Sequence, residues 1–295
     1  MAVLQNKIDF AVILSVKNAN PNGDPLNGNR PRTNYENYGE ITDVCIKRKV
    51  RDRMVERFQS LQKEGKPTEG QSVFVQSDDR KIDDAKSLRA RAEAALGNKL
   101  GSDETVALAC ANWIDVRAFG QLFALKSTKG SKKKGEGEDE GDTGVSIGIR
   151  GPVTVQSAFS IQPIDITSTQ ITKSVSGEGD GTKRGSDTMG MKHRVDHGVY
   201  VVYGSMNPQL AEKTKFSDED ADIIKEILPR LFENDESSAR PAGSMEVLKV
   251  IWWRHSCKSG QYSSAKVHGS LKVFADGAFE LVDLDGLKPV VIDGF

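Results

Sequence analysis

No run of about 18 apolar residues occurs anywhere in the chain, so no segment reads as a membrane-spanning helix. The opening stretch MAVLQNKIDF lacks a basic patch followed by a long apolar block, which argues against a secretory signal. Cysteine is scarce: Cys45, Cys110 and Cys257 are three, an odd number, and far apart. That excludes a disulfide framework and a four-cysteine zinc site, and points to reduced thiols in a cytoplasm. A GxxxxGK[ST] frame is missing, which removes a nucleotide-hydrolysing P-loop. Net charge is nearly absent too, at −1 from 41 Lys+Arg and 42 Asp+Glu.

The neutral total hides segregated charge. Basic residues gather at 47–53 and 129–134, and acids at 136–142, 218–226 and 280–285. Fields are screened beyond about 8–10 Å, so a local cationic stripe on a neutral chain is compatible with phosphate binding. Near-neutrality also lets many copies pack together without strong self-repulsion.

The 295 residues are enough to bury a sizeable core as one large domain or two modest ones. Residues 9–16 are continuous, apolar and β-branched, which predicts a buried strand. Thr42 or Asp43 is the expected N-cap of a helix running to about Lys63 on the apolar stripe Val44, Ile46, Val50, Met54, Phe58 and Leu61, stopped by Gly65 and Pro67. Further along, the pattern predicts a short strand at Ser72–Gln76, helices at 85–100 and 104–118, and strands within 145–160. A core strand follows at 199–204, then a helix at 218–232 capped by Ser217, and strands at 247–255 and 271–279. Lys126 to Thr143 (KSTKGSKKKGEGEDEGDT) cannot bury enough apolar area to offset its ordering entropy, and 127–143 reads as a mobile surface loop. Asp165 to His197 has β-branched flanks around a Gly-, Ser- and charge-rich tip, the pattern of a projecting hairpin. Strand, helix, strands, helix, strand is the cadence of an α+β, ferredoxin-like (RRM-type) core in a single domain over 1–295, interrupted by insertions at about 65–120 and 163–197.

Two adjacent stretches carry the chemistry. Asn20 to Thr33 (NPNGDPLNGNRPRT) holds three Asn-Gly or Gly-Asn steps and three prolines. Asn and Gly tolerate positive φ and present backbone N–H groups that form anion nests, and Arg30 and Arg32 add cationic forks to the same loop; a chain of ordinary turns is the alternative. The following helix has five basic residues in seven positions: Lys47, Arg48, Lys49, Arg51 and Arg53. Lys47 and Arg51, one turn apart, form the stripe expected to bridge successive phosphates, with the other charges partly paired to Asp52 and Glu56. A polar loop beside a cationic helix suits a phosphate chain better than a small apolar ligand.

Acid–base candidates are Asp24, Asp43, Asp115, His193 and His197. His193, Asp196 and His197 lie close in sequence but lack the HxxxH or HExxH frame, so no metal, cofactor or catalytic role is expected. Met189 and Met191, at the hairpin stem, suit either wedging between bases or packing within the hairpin base.

Four segments carry a family resemblance: NANPNGDPLNGNRPR from Asn18 to Arg32, ITDVCIKRKVR from Ile41 to Arg51, DVRAFG from Asp115 to Gly120, and IRGPVTVQS from Ile149 to Ser157. Together they resemble the backbone subunit of the CRISPR type I-C Cascade complex, over essentially the whole chain. The resemblance implies an RRM-like palm, a helical finger and a β-hairpin thumb at 163–197. It implies copies polymerising as a helical filament along a crRNA guide, presenting it to a target DNA strand beside other Cascade subunits, with no enzymatic step. On that resemblance the residues expected at the RNA are Asn20, Asn22, Arg30, Arg32, Lys47, Arg48, Arg51, Arg150, Lys183, Arg184, Met189, Lys192 and His193. Such a protein grips backbone without reading sequence. The rival expectation is an RNA-guided endoribonuclease backbone using a loop aspartate, Asp24 or Asp43.

Overall fold

The computed structural model describes residues 2–125, 145–173 and 189–295. Its first part comprises β1 (Ile8–Ala19), β2 (Gly23–Asp24), β3 (Arg30–Pro31), β4 (Tyr38–Ile41) and α1 (Asp43–Lys63). Helices α2 (Leu88–Leu96), α3 (Thr105–Asn112) and α4 (Ile114–Phe119) follow, then β5 (Gly120–Leu125) and β6 (Val145–Arg150). Next come β7 (Val153–Val155), β8 (Ala158–Pro163), β9 (Ile166–Thr172), β10 (Met189–Met206), α5 (Pro208–Thr214) and α6 (Asp218–Ile227). The chain closes with β11 (Met245–Arg254), α7 (Ser264–His268), β12 (Leu271–Val273), β13 (Phe279–Leu281) and β14 (Val290–Asp293).

The central sheet has the order β14-β11-β1-β10-β8-β4 with antiparallel pairings, and β7 and β9 also pair with β10. β1 is continuously apolar from Phe10 to Leu14 because both of its faces are covered there. Phe10, Val12, Leu14 and Val16 point into a core shared with Ile46, Val50 and Met54 of α1 and Ala221, Ile224 and Ile227 of α6. Ala11 and Ile13 face the opposite core, closed by Val267, Leu271 and Leu287 from the C-terminal segment. Continuous rather than alternating hydrophobicity is what burial on two faces requires.

A third core surrounds Phe74, Trp113 and Phe123, with the Phe74 ring 4.6 Å from Trp113 and 5.3 Å from Phe123, and it draws on Ile149 as well as α2 and α3. Two buried ion pairs join this unit to the sheet layer. Fully buried Asp115 accepts from the backbone N–H groups of Phe74 (2.7 Å) and Val75 (3.1 Å) and from Arg51 Nε (2.9 Å). Arg117 donates bidentately to Asp220 (2.8 and 2.8 Å) and to the carbonyls of Cys110 (2.6 Å) and Gly70 (3.0 Å). The DVRAFG segment is therefore a structural clasp, and Asp115 is consumed by it.

Several element boundaries differ from the sequence reading. Ser72–Gln76 is not a strand: the Phe74 and Val75 amides go to Asp115, and only Ser72 bridges to Trp113. The helix expected over 104–118 breaks at Trp113, whose extended backbone (φ −121, ψ 117) serves that bridge while its ring enters the third core. The helix at 85–100 is shorter, with α2 ending at Leu96 before a 3-10 turn. The helix from Asp218 ends at Ile227, where Pro229 enforces a 3-10 turn. Residues 271–279 split into β12 and β13, joined by a turn in which Gly277 takes φ +84.

The opposite core also contains a buried polar group. Asp9 Oδ2 lies 2.9 Å from His255 Nε2 and 3.1 Å from Lys7 Nζ, and His255 Nδ1 accepts from the Gln261 amide at 2.9 Å. Burial pushes the Asp9 carboxyl up, but hydrogen bonds from His255, Ser264 and Lys7 outweigh it and hold the group below its ordinary value. Its ionised form therefore stabilises the fold above about pH 4, and that contribution disappears as pH falls through the lower native value. In urea titrations the stability gap between wild type and Asp9→Asn should narrow as pH falls below about 4. A gap independent of pH would contradict this assignment.

Candidate nucleic-acid interface

The loop after β1 is built from side-chain hydrogen bonds to its own backbone. Asn20 is buried and donates from Nδ2 to the Asn29 carbonyl (2.7 Å), while its amide donates to Ala239 O (2.9 Å). Asn22 Oδ1 accepts from both the amide (3.0 Å) and the hydroxyl (2.9 Å) of Thr42. Thr42 in turn caps α1 by accepting from the Cys45 amide at 3.3 Å. Asp24 caps the 3-10 turn at residues 25–27 and pairs with Arg32 Nη2 at 3.2 Å. Gly28 and Asn29 take the left-handed conformation (φ +57 and +59), which the Asn-Gly steps announced. Asn20 and Asn22 thus hold the loop, and their side chains face inward.

β10 is twice the length a sheet strand needs. From Val195 onward it pairs with β1 inside the sheet, while Met189 to Arg194 continues beyond that pairing and lies against β9. Directly opposed residues of an antiparallel pair share a face. One face of the stem therefore carries Met189, Met191 and His193 with Thr172, Gln170 and Ser168, and the other carries Lys192 and Arg194 with Thr169 and Thr167. Met189 and Met191 are 60 % and 56 % exposed, so packing within the hairpin base does not account for them.

The loop and the stem meet. Arg30 Nη1 donates to Ser168 Oγ at 3.1 Å, and Ser168 Oγ lies 2.8 Å from His193 Nδ1. Arg30 and His193, remote in sequence, thus become one polar cluster flanked by exposed methionines. The turn at 34–37 is tied to the hairpin base as well, because Ile164 N donates to Asn37 O at 2.9 Å.

The cationic helix is used differently from the expected phosphate stripe. Arg51 is largely buried, bonded to Asp115 and lying 5.1 Å from the Phe119 ring centroid. Lys49 is buried against Asp235 and Arg53 against Glu56. Lys47 pairs with Asp43 at 2.9 Å, and Arg48, half exposed, donates to Ser77 (3.1 Å) and lies 3.6 Å from Asp79. The pairs Lys47–Asp43, Arg48–Asp52 and Arg53–Glu56 are one helical turn apart, the last two as expected from spacing, whereas Asp235 for Lys49 and Asp115 for Arg51 come from far along the chain. Arg150 is exposed at the end of β6, opposite Gly120. Lys183 and Arg184 lie outside the described residues, as does the 127–143 loop.

The acid–base candidates do not converge. Asp43 is engaged by Lys47, Asp24 by Arg32 and the turn it caps, and Asp196 by Thr167 (2.7 Å) and Arg194 (3.2 Å). Among the described residues no group of three or more His, Cys, Asp and Glu is placed to hold a metal ion. Ser168 and the 34–37 turn were missed at the sequence level. Ser168 is one of many hydroxyls in a β-branched strand and has no signature, whereas the Asn-Tyr-Glu-Asn run at 34–37 has turn composition.

A family described as CRISPR-associated protein Cas7 matches residues 6–283. A curated relative, the CRISPR-associated protein Cas7 of Haloferax volcanii, is 26% identical over 300 residues, covering 98% of this chain and 80% of its own length. Among solved structures, a chain of a CRISPR RNA-guided surveillance complex, pre-nicking, aligns with a TM-score of 0.47 and 16% identity, over 88% of this chain and 83% of that one. A second CRISPR RNA-guided surveillance complex chain aligns with a TM-score of 0.45 and 16% identity, over 92% and 77%.

Proposed function

Since the chain belongs to the CRISPR-associated Cas7 family, we propose that it is a guide-RNA-binding backbone subunit of a type I-C surveillance complex. Copies polymerise along the crRNA in the cytoplasm, beside other Cascade subunits, and present it for pairing with a target DNA strand in antiviral defence. The central sheet supports an RRM-like palm: β1 and β10 lie inside, β8 and β11 flank them, and α1 and α6 pack on one face. The unit around the third core corresponds to the finger, and the β9–β10 hairpin to the thumb.

The observation that carries the reading is the Arg30–Ser168–His193 cluster, which joins the Asn-rich loop to the projecting stem. A guanidinium and an imidazole suit phosphate and 2′-hydroxyl oxygens, contacts that need no base edge. Specificity is then left to base pairing, as in RNA-guided recognition generally. Head-to-tail contacts that do not close into a ring give a filament. The role is non-catalytic, because the loop aspartate Asp24 is committed to Arg32 and to its own turn.

Purified chain mixed with guide-length RNA, followed by sedimentation and electron microscopy, tests this. Regularly spaced multimers whose length follows the RNA are expected, and a one-to-one complex would overturn the filament. Adding complementary RNA and a divalent metal should leave it intact. Periodic cleavage abolished by Asp24→Ala would establish the endoribonuclease reading instead.

A further inference from the structure

Tyr35 is the most exposed large apolar side chain described, at 107 % of its reference area. The backbone beneath it is nonetheless fixed. Asn34 Oδ1 accepts from the amides of Glu36 (3.0 Å) and Tyr38 (2.9 Å), and Asn34 N donates to Tyr38 O (2.9 Å). Asn37 takes φ +64 and donates to Asn34 O at 3.2 Å, and Thr33 bridges to Gly39 at the neck of the turn. A rigid turn therefore holds out a ring that touches no other ring or cation among the described residues.

Its surroundings select an occupant. The turn is bonded to the hairpin base through Ile164, and Tyr35 is five residues from Arg30, a chain distance of at most about 18 Å. A phosphate chain held at the Arg30–Ser168–His193 cluster therefore starts from a point tied to this turn through both the chain at Arg30 and the hairpin base at Ile164. Glu36 is exposed on the same turn, and the turn carries no cation, so a phosphate is unwelcome there. A neutral, flat group attached to a phosphate chain fits both conditions. We propose that Tyr35 is a stacking platform for one unpaired base of the bound RNA, an inference that rests on the RNA-binding reading above. A fixed aromatic gains the stacking contact with little ordering cost, and it accepts any base because every base has a π-face.

Fluorescence anisotropy of the full-length chain with a labelled single-stranded RNA, and with an abasic ribose-phosphate oligomer of equal length, tests this. Tyr35→Ala and Tyr35→Leu should each weaken RNA binding by about tenfold, while Tyr35→Phe keeps wild-type affinity. None of the three should alter binding to the abasic oligomer. Unchanged RNA affinity in Tyr35→Ala overturns the platform while leaving the RNA-binding reading intact. Wild-type affinity in Tyr35→Leu overturns it in favour of a plain apolar contact, such as one with a second copy. A wild-type chain that fails to bind the RNA removes both readings together.

Discussion

Asp115→Ala should lower the stability of the chain by about 3–5 kcal/mol, because it strands Arg51 and two backbone amides in the interior. The carboxylate is fully buried and accepts from Phe74 N, Val75 N and Arg51 Nε, so three donors lose their partner at once. For a protein of this size the loss corresponds to a melting temperature lower by about 5–8 °C. Arg51→Ala should also destabilise, while leaving the salt dependence of RNA binding unchanged, since its charge is spent inside the fold. Scanning calorimetry and salt titration of both variants decide the matter. An Arg51→Ala protein with wild-type melting and a shallower salt slope would restore it as a phosphate ligand.

Arg30→Ala combined with Lys192→Ala should weaken guide-RNA binding roughly a hundredfold at physiological salt, because each substitution removes one charge-assisted hydrogen bond to the RNA. Each phosphate contact on a single strand contributes about 0.7 to the slope of log affinity against log salt, so the slope should fall by about 1.4. The Arg30 side chain makes a single hydrogen bond to Ser168 among the described residues, and Lys192 is exposed, so the melting temperature should scarcely move. Weaker binding with an unaltered slope would mean that these side chains act by shaping the hairpin rather than by meeting phosphates.

Features written in local spacing were legible in the amino-acid order alone. The strand at 9–16, the Thr42-capped helix to Lys63, the Ser217 cap and the projecting stem all follow from periodicity, capping chemistry and β-branched content, and each is present. Partnerships across long sequence separations were not legible. Lys49 meets Asp235 and Arg51 meets Asp115, which takes these two cations of α1 into the interior. The same limitation hid the opposite case. Arg30 and His193 were separate candidates, and only the antiparallel pairing of β9 with β10 sets Ser168 between them. The break at Trp113 was equally invisible, because it is dictated by a bridge to Ser72 and by the packing of its ring on Phe74.

Ultraviolet cross-linking of the wild-type chain to guide RNA, with adducts mapped by mass spectrometry, tests most directly where the RNA is held. Adducts are expected in peptides spanning 20–38 and 189–194, the two sides of the Arg30–Ser168–His193 cluster. Adducts confined to α1 between Lys47 and Arg53, with none at the loop–stem junction, would contradict this placement of the RNA.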